Sequence, residues 1–485
     1  MEKEIRVRFA PSPTGHMHIG NARTALFNYL FAKRTGGALI LRIEDTDQGR
    51  STPEAVQVIV DSLKWLGIEW QEGYFGRDEH GSAIEKGTLG PYTQMKRLGT
   101  YDVYLNKLVE TGKAYYCFCA EEDLEKKRQA AAAAGVVPKY DGTCCKLSKE
   151  EAEKKKKTER FVIRFKVDPG VVEFDDLVRG KVSFNADQIG DFVIARSDGI
   201  PVYNYAVVID DNAMKISHVI RGEDHLSNTP RQVLIYKALG FSLPKFAHLP
   251  MILGADRSKL SKRHGETSLL AYREKGFLPE AVFNYMSLLG WYPRDGVEIK
   301  NKEELAKFFD LADVGKSGAV FDEKKLLWVN HEYMQKLDTK MLYELCVPYI
   351  KTVNLSGRPE DWIYKVIAAV KTGINTCSEV PELTKLFFMP AEIPAEGLEA
   401  LKPDSSKAVL VSLKELLRKS EVTTENFKEL LQSVSKTANV KGRDLYMPVR
   451  LGVTGALHGP ELAVLIPIIG SAECIRRIEE TLKKI

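Results

Sequence analysis

His18 and Gly20 stand at the start of a helical segment, directly after a loop that prolines and glycine keep irregular. Residues 5–9 alternate apolar and arginine side chains, which predicts a strand, and residues 21–34 carry apolar residues at helical spacing. N–H groups at a helix start attract anions, glycine allows close approach of a ligand, and an imidazole can donate to a phosphate. The pattern predicts a phosphate site, although an ordinary strand–turn–helix connection with surface histidines explains it equally well.

A second group of residues that could bind phosphates is the basic loop Lys-Leu-Ser-Lys-Arg at residues 259–263. Its two lysines, Lys259 and Lys262, flank Ser261, and glycines stand on both sides of the loop. Lysines aimed at a pyrophosphate stabilise the charge that develops when the α-phosphate is attacked. Taken by itself, the loop is more simply explained as a solvated basic surface segment.

Charged residues also stand where three predicted strands end: Arg8, Glu44 and Arg221. Open α/β sheets bind their ligands at the carboxyl ends of strands. Arginine recognises a carboxylate through two parallel hydrogen bonds, so Arg8 and Arg221 could face one pocket for an acidic substrate. On the residues alone, surface salt bridges for the two arginines and a polar turn for Glu44 are the commoner explanations.

Four of the seven cysteines lie close together in the sequence: Cys117, Cys119, Cys144 and Cys145. The number and spacing do not describe a secreted disulfide framework. Zinc needs four nitrogen or sulfur ligands in a tetrahedron, and the adjacent Cys144 and Cys145 are awkward as two ligands of one ion. Zinc is therefore possible, but buried or free thiols are the favoured interpretation.

Five segments carry a resemblance to a known family. Residues 18–21, His-Ile-Gly-Asn, with the preceding Arg8–Gly15, resemble the His-Ile-Gly-His region of class I aminoacyl-tRNA synthetases in its glutamyl form. Residues 259–263 resemble the second class signature, Lys-Met-Ser-Lys-Ser, and Arg-Ile-Glu-Asp-Thr-Asp at residues 42–47 resembles a glutamyl-synthetase signature. Segments 441–450 and 454–460 resemble bacterial-type glutamyl enzymes. Asn21 departs from the final histidine, at a position where the glutamyl family is permissive.

The resemblance implies roles for individual residues. ATP would be bound by His18, Gly20, Lys259, Ser261 and Lys262, of which His18, Lys259 and Lys262 are catalytic. Glutamate would be bound by Arg8, Ala10, Ser12, Glu44, Tyr203 and Arg221, with Glu44 on its ammonium and Arg8 on its side-chain carboxylate. Mg²⁺ would shield the phosphates. Some family members carry Cys-x-Cys followed by Cys-x-His, but Lys146 stands at the histidine position, so no metal ligand is assigned and zinc is not favoured.

The elements that must position these residues form an α/β pattern followed by helices. The run 205–209 is continuously apolar, which predicts a central parallel strand buried on both faces. From Leu269 onwards the pattern is almost wholly helical. With the resemblance, this predicts an α/β Rossmann-like class I catalytic domain with an α+β insertion, followed by all-α stem-contact and anticodon-binding regions. The expected bounds are 1–93 and 191–250 for the two catalytic halves, 94–190 for the acceptor-end-binding insertion, 251–333 for the stem-contact region and 334–485 for the helical anticodon-binding domain.

Composition sets wider limits on the kind of protein. A chain of 485 residues with 44% hydrophobic and 28% charged residues is typical of a globular protein. The net charge of +4 is too small to establish a polyanionic partner and does not exclude one. The apolar run 462–469 is too short to span a bilayer, and the N-terminus shows no signal region. A cytoplasmic protein is expected.

The resemblance implies a glutamate–tRNA ligase that forms glutamyl-adenylate from glutamate and ATP and transfers the glutamyl group to the 3′ end of tRNA(Glu). It also implies that tRNA must be bound before glutamate is activated. Charging of tRNA(Gln) as well is the alternative, and nothing in the sequence demands more than a monomer.

Three other kinds of protein share part of this pattern. A glutaminyl-tRNA synthetase would have a β-barrel anticodon region, where this chain is helical. The short glutamyl-queuosine relative lacks the anticodon half. A tRNA-binding protein without catalysis would not need His18, Gly20, Lys259 and Lys262, which are all present.

Overall fold

The computed structural model describes residues 4–15, 17–136, 138–264, 267–350 and 358–485, and at Lys262 it describes the backbone only. The chain divides into two compact units. The first contains the chain up to Tyr272 together with Pro279–Leu326, and the second contains Arg273–Leu278 and Leu327–Ile485.

The strands all belong to the first unit. They are β1 (Arg6–Phe9), β2 (Ala38–Leu41), β3 (Glu72–Arg77), β4 (Ala83–Lys86), β5 (Ala114–Cys117), β6 (Val162–Phe165), β7 (Val171–Asp176), β8 (Gly180–Asn185), β9 (Phe192–Ala195), β10 (His218–Gly222), β11 (Lys245–Leu249), β12 (Ile252–Leu253) and β13 (Ala319–Val320).

The helices run through both units. They are α1 (Ile19–Thr35), α2 (Pro53–Trp65), α3 (Leu98–Glu110), α4 (Glu121–Ala133), α5 (Lys149–Lys156), α6 (Ala186–Ile189), α7 (Tyr203–Ala213), α8 (Thr229–Leu239), α9 (Leu269–Glu274), α10 (Pro279–Ser287), α11 (Lys302–Phe308), α12 (Glu323–Lys336), α13 (Thr339–Ile350), α14 (Glu360–Val370), α15 (Val380–Phe388), α16 (Ala395–Leu401), α17 (Asp404–Lys419), α18 (Phe427–Ala438), α19 (Arg443–Thr454), α20 (Leu462–Ile469) and α21 (Ser471–Leu482). Among the described residues, none of the helices has the length and apolar character needed to cross a membrane.

Two four-stranded sheets meet at β1 and β10. Their orders are β1-β2-β3-β4 and β10-β11-β7-β8, and the Ser217 N–H donates to the Arg6 carbonyl oxygen at 2.9 Å where the two sheets join. β1, β2 and β3 pair in parallel, as do β10, β11 and β7, while β4 and β8 are antiparallel edges. All four residues of β2 are buried, as expected for parallel strands covered on both faces. The carboxyl ends of β1, β2 and β10 therefore lie along one edge.

The hairpin β7–β8 falls within the stretch predicted as an insertion, yet it extends the catalytic sheet. β7 alternates exposed and buried residues from Val171 to Asp176, the pattern of a strand with one solvated face. Its last residue, Asp176, pairs with Phe246 of β11. The remaining strands of that stretch, β5 and β6, form a separate antiparallel sheet with β9.

The strand prediction for residues 205–209 is wrong, because these residues lie in α7. A continuous apolar run is expected both for a strand buried on two faces and for a helix buried on all sides. Every residue from Tyr205 to Asp211 is buried, and α7 packs against α3 and α8. The element is 11 residues long, which exceeds the roughly 4–8 residues of a typical buried strand.

The second unit is all helical within its described residues, as predicted. α17 packs against α18, α19 and α21 and forms the centre of its C-terminal part. Arg477 of α21 is fully buried, and its guanidinium donates to the carbonyl oxygens of Leu386 at 2.8 Å, Phe387 at 3.1 Å and Val453 at 3.2 Å. In the region expected to be an all-helical stem contact, the short parallel pair β12–β13 is an unpredicted addition.

Candidate active site

The loops that follow β1 and β2 bring four of the predicted residues to one edge of the sheet. Arg8 lies on β1, and the half-buried Ala10 and exposed Ser12 follow in the loop. The Glu44 N–H donates to the Pro11 carbonyl oxygen at 3.1 Å, which ties the segment after β2 to that loop. The two strands thus present a guanidinium and a carboxylate side by side.

Arg8 and Glu44 belong to a buried cluster of charges organised by Asp211 at the end of α7. The Arg8 Nε donates to Asp211 at 3.1 Å, the Arg42 Nη1 donates to the same carboxylate at 2.7 Å, and the Arg42 Nη2 donates to Glu44 Oε1 at 2.9 Å. Burial opposes charge on both carboxyl groups. The pKa of Glu44 is raised because burial outweighs Arg42, whereas Arg8 and Arg42 together overcome burial and lower the pKa of Asp211.

This pairing leaves particular atoms free for a ligand. Within the described part of the chain, Nη1 and Nη2 of Arg8 have no hydrogen-bond partner, because its ion pair uses only Nε. Glu44 Oε2 likewise accepts no hydrogen bond from any described residue. A planar pair of donors suits a carboxylate, and a free carboxylate oxygen suits an ammonium.

Asp210 anchors a neighbouring group of buried hydrogen bonds. Asp210 accepts hydrogen bonds from Arg97 Nε at 2.6 Å, from the Tyr101 hydroxyl at 2.9 Å and from Gln94 Nε2 at 2.8 Å. Arg8, Arg42 and Arg97 are each paired with a buried carboxylate, Asp210 or Asp211, whereas the buried Arg221 forms no ion pair with a described carboxylate. Arginine donors without a paired carboxylate favour an anionic ligand.

Arg221 and Tyr203, both predicted, contact each other near this cluster. Tyr203 is the first residue of α7, and Arg221 is buried near the end of β10. Arg221 Nη1 donates to the Tyr203 hydroxyl at 3.3 Å, and that hydroxyl lies 3.0 Å from His225 Nδ1. Burial first, and then the charge of Arg221, lower the pKa of His225 to about 4, so its ring is neutral at pH 7. Arg221, Glu44 and Arg8 all act electrostatically on Tyr203, so the four groups lie near one another.

His18 and Gly20 begin α1 as predicted. His18 is the residue before the first helical one, with an extended backbone (φ −98°, ψ 164°) and a side chain that makes no capping hydrogen bond. Its ring lies over Gly20, where an added Cβ would be 3.2 Å from both Cε1 and Nδ1. Burial first, and then the charge of Lys259, lower the pKa of His18, so its ring is neutral at pH 7. The imidazole is therefore available as a neutral donor at the helix start.

The basic loop lies beside this helix start. Residues 17–19 pair with residues 267–269, the Ile19 N–H donating to Thr267 O at 3.0 Å and the Leu269 N–H to Met17 O at 3.1 Å. Lys259 is exposed and 3.4 Å from Asp224, an ion pair of little energetic weight. The predicted Lys262 begins a short 3-10 helix, and its side chain lies outside the described part of the structure.

His264 holds the basic loop in its turn. The exposed Ser261 donates its backbone N–H to His264 Nδ1 at 3.0 Å, and His264 Nε2 lies 3.1 Å from Asp256 Oδ1. Gly254 is required here because an added Cβ would be 2.5 Å from Cδ2 of the His264 ring. The loop therefore keeps a defined backbone although the Lys259 side chain is exposed.

The cysteine cluster is closer to a metal site than the sequence suggested. The sulfur atoms of Cys117, Cys119 and Cys144 lie within 4.8 Å of one another, but Cys145 does not join them. The Tyr140 hydroxyl lies 3.5 Å from the Cys117 sulfur and 3.3 Å from the Cys119 sulfur, and it accepts the Cys144 N–H at 2.9 Å. Three thiols and a phenol oxygen make four converging donors, which matches the ligand number of structural zinc.

Sequence reasoning missed Asp211 and Tyr140. Asp211 ends an apolar run that was assigned to a strand, so its position at the pocket was hidden by the wrong element type. A pair of acidic residues following a buried run would have been the signal. Tyr140 was missed because only cysteine and histidine were considered as ligands. Its place four residues before Cys144 was the available clue.

Comparisons with known proteins match the chain from end to end. The family profile described as tRNA synthetases class I (E and Q), catalytic domain, matches residues 4–328, and the profile described as anticodon binding domain matches residues 341–482. Glutamate–tRNA ligase 2 of Caldanaerobacter subterraneus subsp. tengcongensis is 46% identical over the whole of both chains, and glutamate–tRNA ligase of Carboxydothermus hydrogenoformans is 47% identical over 98% of this chain and 99% of its own. The crystal structure of a glutamate tRNA ligase from Elizabethkingia meningosepticum superimposes with a TM-score of 0.91, at 34% identity and 99% coverage of each chain.

Proposed function

The chain belongs to the class I tRNA synthetases for glutamate and glutamine, and from that premise we propose that it is a glutamate–tRNA ligase. It activates L-glutamate with ATP to glutamyl-adenylate and transfers the glutamyl group to the 3′ end of tRNA(Glu). The observation that carries the choice of amino acid is the free Nη atoms of the buried Arg8, together with the buried Arg221, which no described carboxylate pairs. Glutamate carries one net negative charge at pH 7, whereas glutamine carries none.

Glutamate fits the pocket by its side-chain carboxylate and its ammonium group. Arg8 holds the side-chain carboxylate, and Arg221 with Tyr203 closes the other side of the pocket. Glu44 Oε2 accepts the ammonium group, and an incoming ammonium favours the ionised form of Glu44, against the burial that raises its pKa. Ala10 and Ser12 line the entrance through the loop after β1.

ATP is bound between the start of α1 and the basic loop. Gly20 allows the nucleotide to approach the helix backbone, His18 donates to a phosphate, and Lys259, Ser261 and Lys262 face the pyrophosphate. Mg²⁺ accompanies ATP, whose phosphates supply the oxygen ligands that this ion prefers.

The α-carboxylate of glutamate attacks the α-phosphate, and pyrophosphate leaves. Positive groups placed where the charge develops lower the barrier, so no nucleophilic side chain is needed.

The chain division proposed from the sequence accompanies this function. The catalytic halves are residues 1–93 and 191–250, the acceptor-end-binding insertion is 94–190, the stem-contact region is 251–333 and the anticodon-binding domain is 334–485. We further propose that tRNA must be bound before glutamate is activated, that the enzyme acts as a monomer, and that it works in the cytoplasm.

The function is tested by charging purified tRNA(Glu) and tRNA(Gln) separately with labelled glutamate. Charging of tRNA(Glu) is expected, since the buried cluster selects the amino acid and the helical unit supplies an anticodon-binding domain. Charging of both tRNAs would show that the enzyme does not discriminate between them. Charging of neither by folded protein would contradict the function.

We also propose that Cys117, Cys119, Cys144 and Tyr140 hold one structural zinc ion. The donor set fits, because the sulfur atoms of Cys119 and Cys144 are 3.5 Å apart and zinc–sulfur bonds of about 2.3 Å in a tetrahedron bring sulfurs about that close. The Arg164 guanidinium lies 4.1 Å from the centre of the Tyr140 ring, where it offsets negative charge on the ligands. Zinc would fix the chain between β5 and α5.

Metal analysis of protein purified without chelators should find one zinc per chain. Cys119→Ser should lose the metal, and Tyr140→Phe should weaken its binding by about 10–100-fold, the scale found for disturbed metal sites. Cys145→Ser is the matched control, since Cys145 is the neighbour of a ligand but lies outside the group. Zinc-free wild-type protein, or equal metal loss in the control, would contradict the site.

A further inference from the structure

Arg221 differs from the other arginines of the pocket in having only neutral partners. It is 4% exposed, and none of the described carboxylates forms an ion pair with it. Nη2 donates to the Thr229 hydroxyl at 2.9 Å and to Gln232 Oε1 at 2.8 Å, and Nη1 donates to the Tyr203 hydroxyl at 3.3 Å. Its charge is thus left for a ligand, while its geometry is set by hydrogen bonds.

The remaining partner of Arg221 is His248 of β11. The Nε of Arg221 lies 3.2 Å from His248 Nε2, and since Nε always carries a hydrogen, His248 Nε2 must accept. An imidazole that accepts at Nε2 carries its hydrogen on Nδ1. Burial lowers the pKa of His248, which keeps the ring neutral as this arrangement demands.

Asp176 fixes that tautomer of His248 at Nδ1, the ring nitrogen that does not face Arg221. Its Oδ2 lies 2.6 Å from His248 Nδ1, and both groups are buried. Its Oδ1 accepts the backbone N–H groups of Val178 at 3.0 Å and Arg179 at 2.8 Å. These bonds and that from His248 lower the pKa of Asp176 despite its burial. An ionised carboxylate can only accept, so the hydrogen stays on Nδ1 and the Nε2 lone pair faces Arg221.

We propose that Asp176 and His248 are positioning residues that hold the Arg221 guanidinium in the orientation needed to bind glutamate. The proposal rests on the glutamate–tRNA ligase function given above. Four of the five N–H groups of Arg221 are occupied by the described partners, and the fifth is on Nη1, the nitrogen that also contacts Tyr203 at the pocket. We call the chain Asp176–His248–Arg221 the relay. It leaves one N–H of Arg221, with a fixed direction, for the substrate.

The relay also gives the hairpin β7–β8 a function in the pocket. Asp176 is the last residue of β7 and pairs with Phe246, two residues before His248 on β11. Through this carboxylate and the ring it orients, the hairpin is connected to Arg221. Asp176 is therefore a positioning group that does not itself touch glutamate.

Asp176→Asn tests the relay with a minimal change of shape. The amide oxygen still accepts the backbone N–H groups of Val178, Arg179 and His248, the last at 3.3 Å. The NH₂ group replaces Oδ2, so it loses the 3.1 Å bond from the His248 N–H and donates to His248 Nδ1. The ring hydrogen moves to Nε2 and opposes the Nε–H of Arg221. We expect the KM for glutamate to rise about ten- to hundredfold, the cost of an unpaired buried donor. The KM for ATP and kcat at saturating glutamate change much less.

Matched variants separate positioning from folding. Asp175→Asn, at the exposed neighbour on the same strand, should leave both KM values unchanged. His248→Gln can present an amide oxygen to Arg221 and should retain more glutamate affinity than His248→Leu, which cannot accept. All variants are assayed by ATP–pyrophosphate exchange with tRNA present, and their thermal unfolding is recorded.

Two results would overturn the relay: an Asp176→Asn enzyme with unchanged KM for glutamate, or equal losses for glutamate and ATP together with equal values for His248→Gln and His248→Leu. Failure of the ligase function is distinguishable, because wild-type protein would then show no glutamate-dependent exchange at all.

Discussion

Arg8→Ala will weaken glutamate binding by about 2–5 kcal/mol, the usual cost of removing one partner of a desolvated charge pair. The loss will appear as a raised KM for glutamate. The KM for ATP will change little, because the described hydrogen bonds of Arg8 go to Asp211 and none joins it to a described residue of the basic loop. The fold should survive, since Asp211 keeps its bond of 2.7 Å to Arg42 when Arg8 is removed. The measurement is ATP–pyrophosphate exchange with tRNA present, varying glutamate and ATP separately.

Arg6→Ala is the matched control for this experiment. Arg6 lies two residues earlier on the same face of β1 and is equally buried, at 4% exposed. Its guanidinium is fully engaged, with Glu72 at 2.8 and 2.9 Å and with the Met214 carbonyl oxygen at 2.9 Å. Removing Arg6 should lower thermal stability and leave the KM for glutamate unchanged. Equal rises in the KM for glutamate from both variants would show that strand damage, rather than a lost carboxylate contact, is responsible.

The sequence predicted the arrangement of elements better than it predicted their interactions. α8 runs from Thr229 to Leu239, and both of its ends are marked in the sequence, by Pro230 in the first turn and by Gly240 after the last residue. α7 was missed, since its apolar run has no polar face to reveal helical periodicity. The spacing of polar and apolar residues distinguishes a helix from a strand only when one face of the element is solvated. An element buried on all sides has no polar face, so its sequence shows no such spacing.

The same limit applies within the candidate site. Arg8, Glu44 and Arg221 were predicted because strand ends are recognisable in one chain segment at a time. Their partners were not, since Asp211 is 203 residues from Arg8 and His248 is 27 residues from Arg221. The salt bridges that the sequence offered as the simpler explanation for Arg8 do exist, but they occupy Nε only. A structural ion pair and a ligand-binding role are thus compatible in one guanidinium.

The second large effect concerns the chemical step. His18 stands at the start of α1, makes no capping hydrogen bond, and remains neutral at pH 7 because burial and Lys259 lower its pKa. A neutral imidazole N–H aimed at a phosphate oxygen gains strength as negative charge develops during the attack on the α-phosphate. Groups of this kind act on the transition state more than on the bound substrate, so their loss appears in kcat.

His18→Ala should therefore lower kcat for glutamyl-adenylate formation by about 10²–10³-fold, the usual effect of removing one such donor, with little change in the KM for glutamate. Stability should hardly change, because the backbone pairing of His18 with Ser268 needs no imidazole. His18→Gln, which restores an N–H donor, should recover part of the rate, and His80→Ala, on the exposed turn between β3 and β4, should be silent. Single-turnover adenylate formation measures the step directly. An unchanged rate would remove His18 from the phosphate site, and a rise in KM for glutamate as large as the fall in kcat would mean that the ring orders the loop after β1 instead of meeting the developing charge.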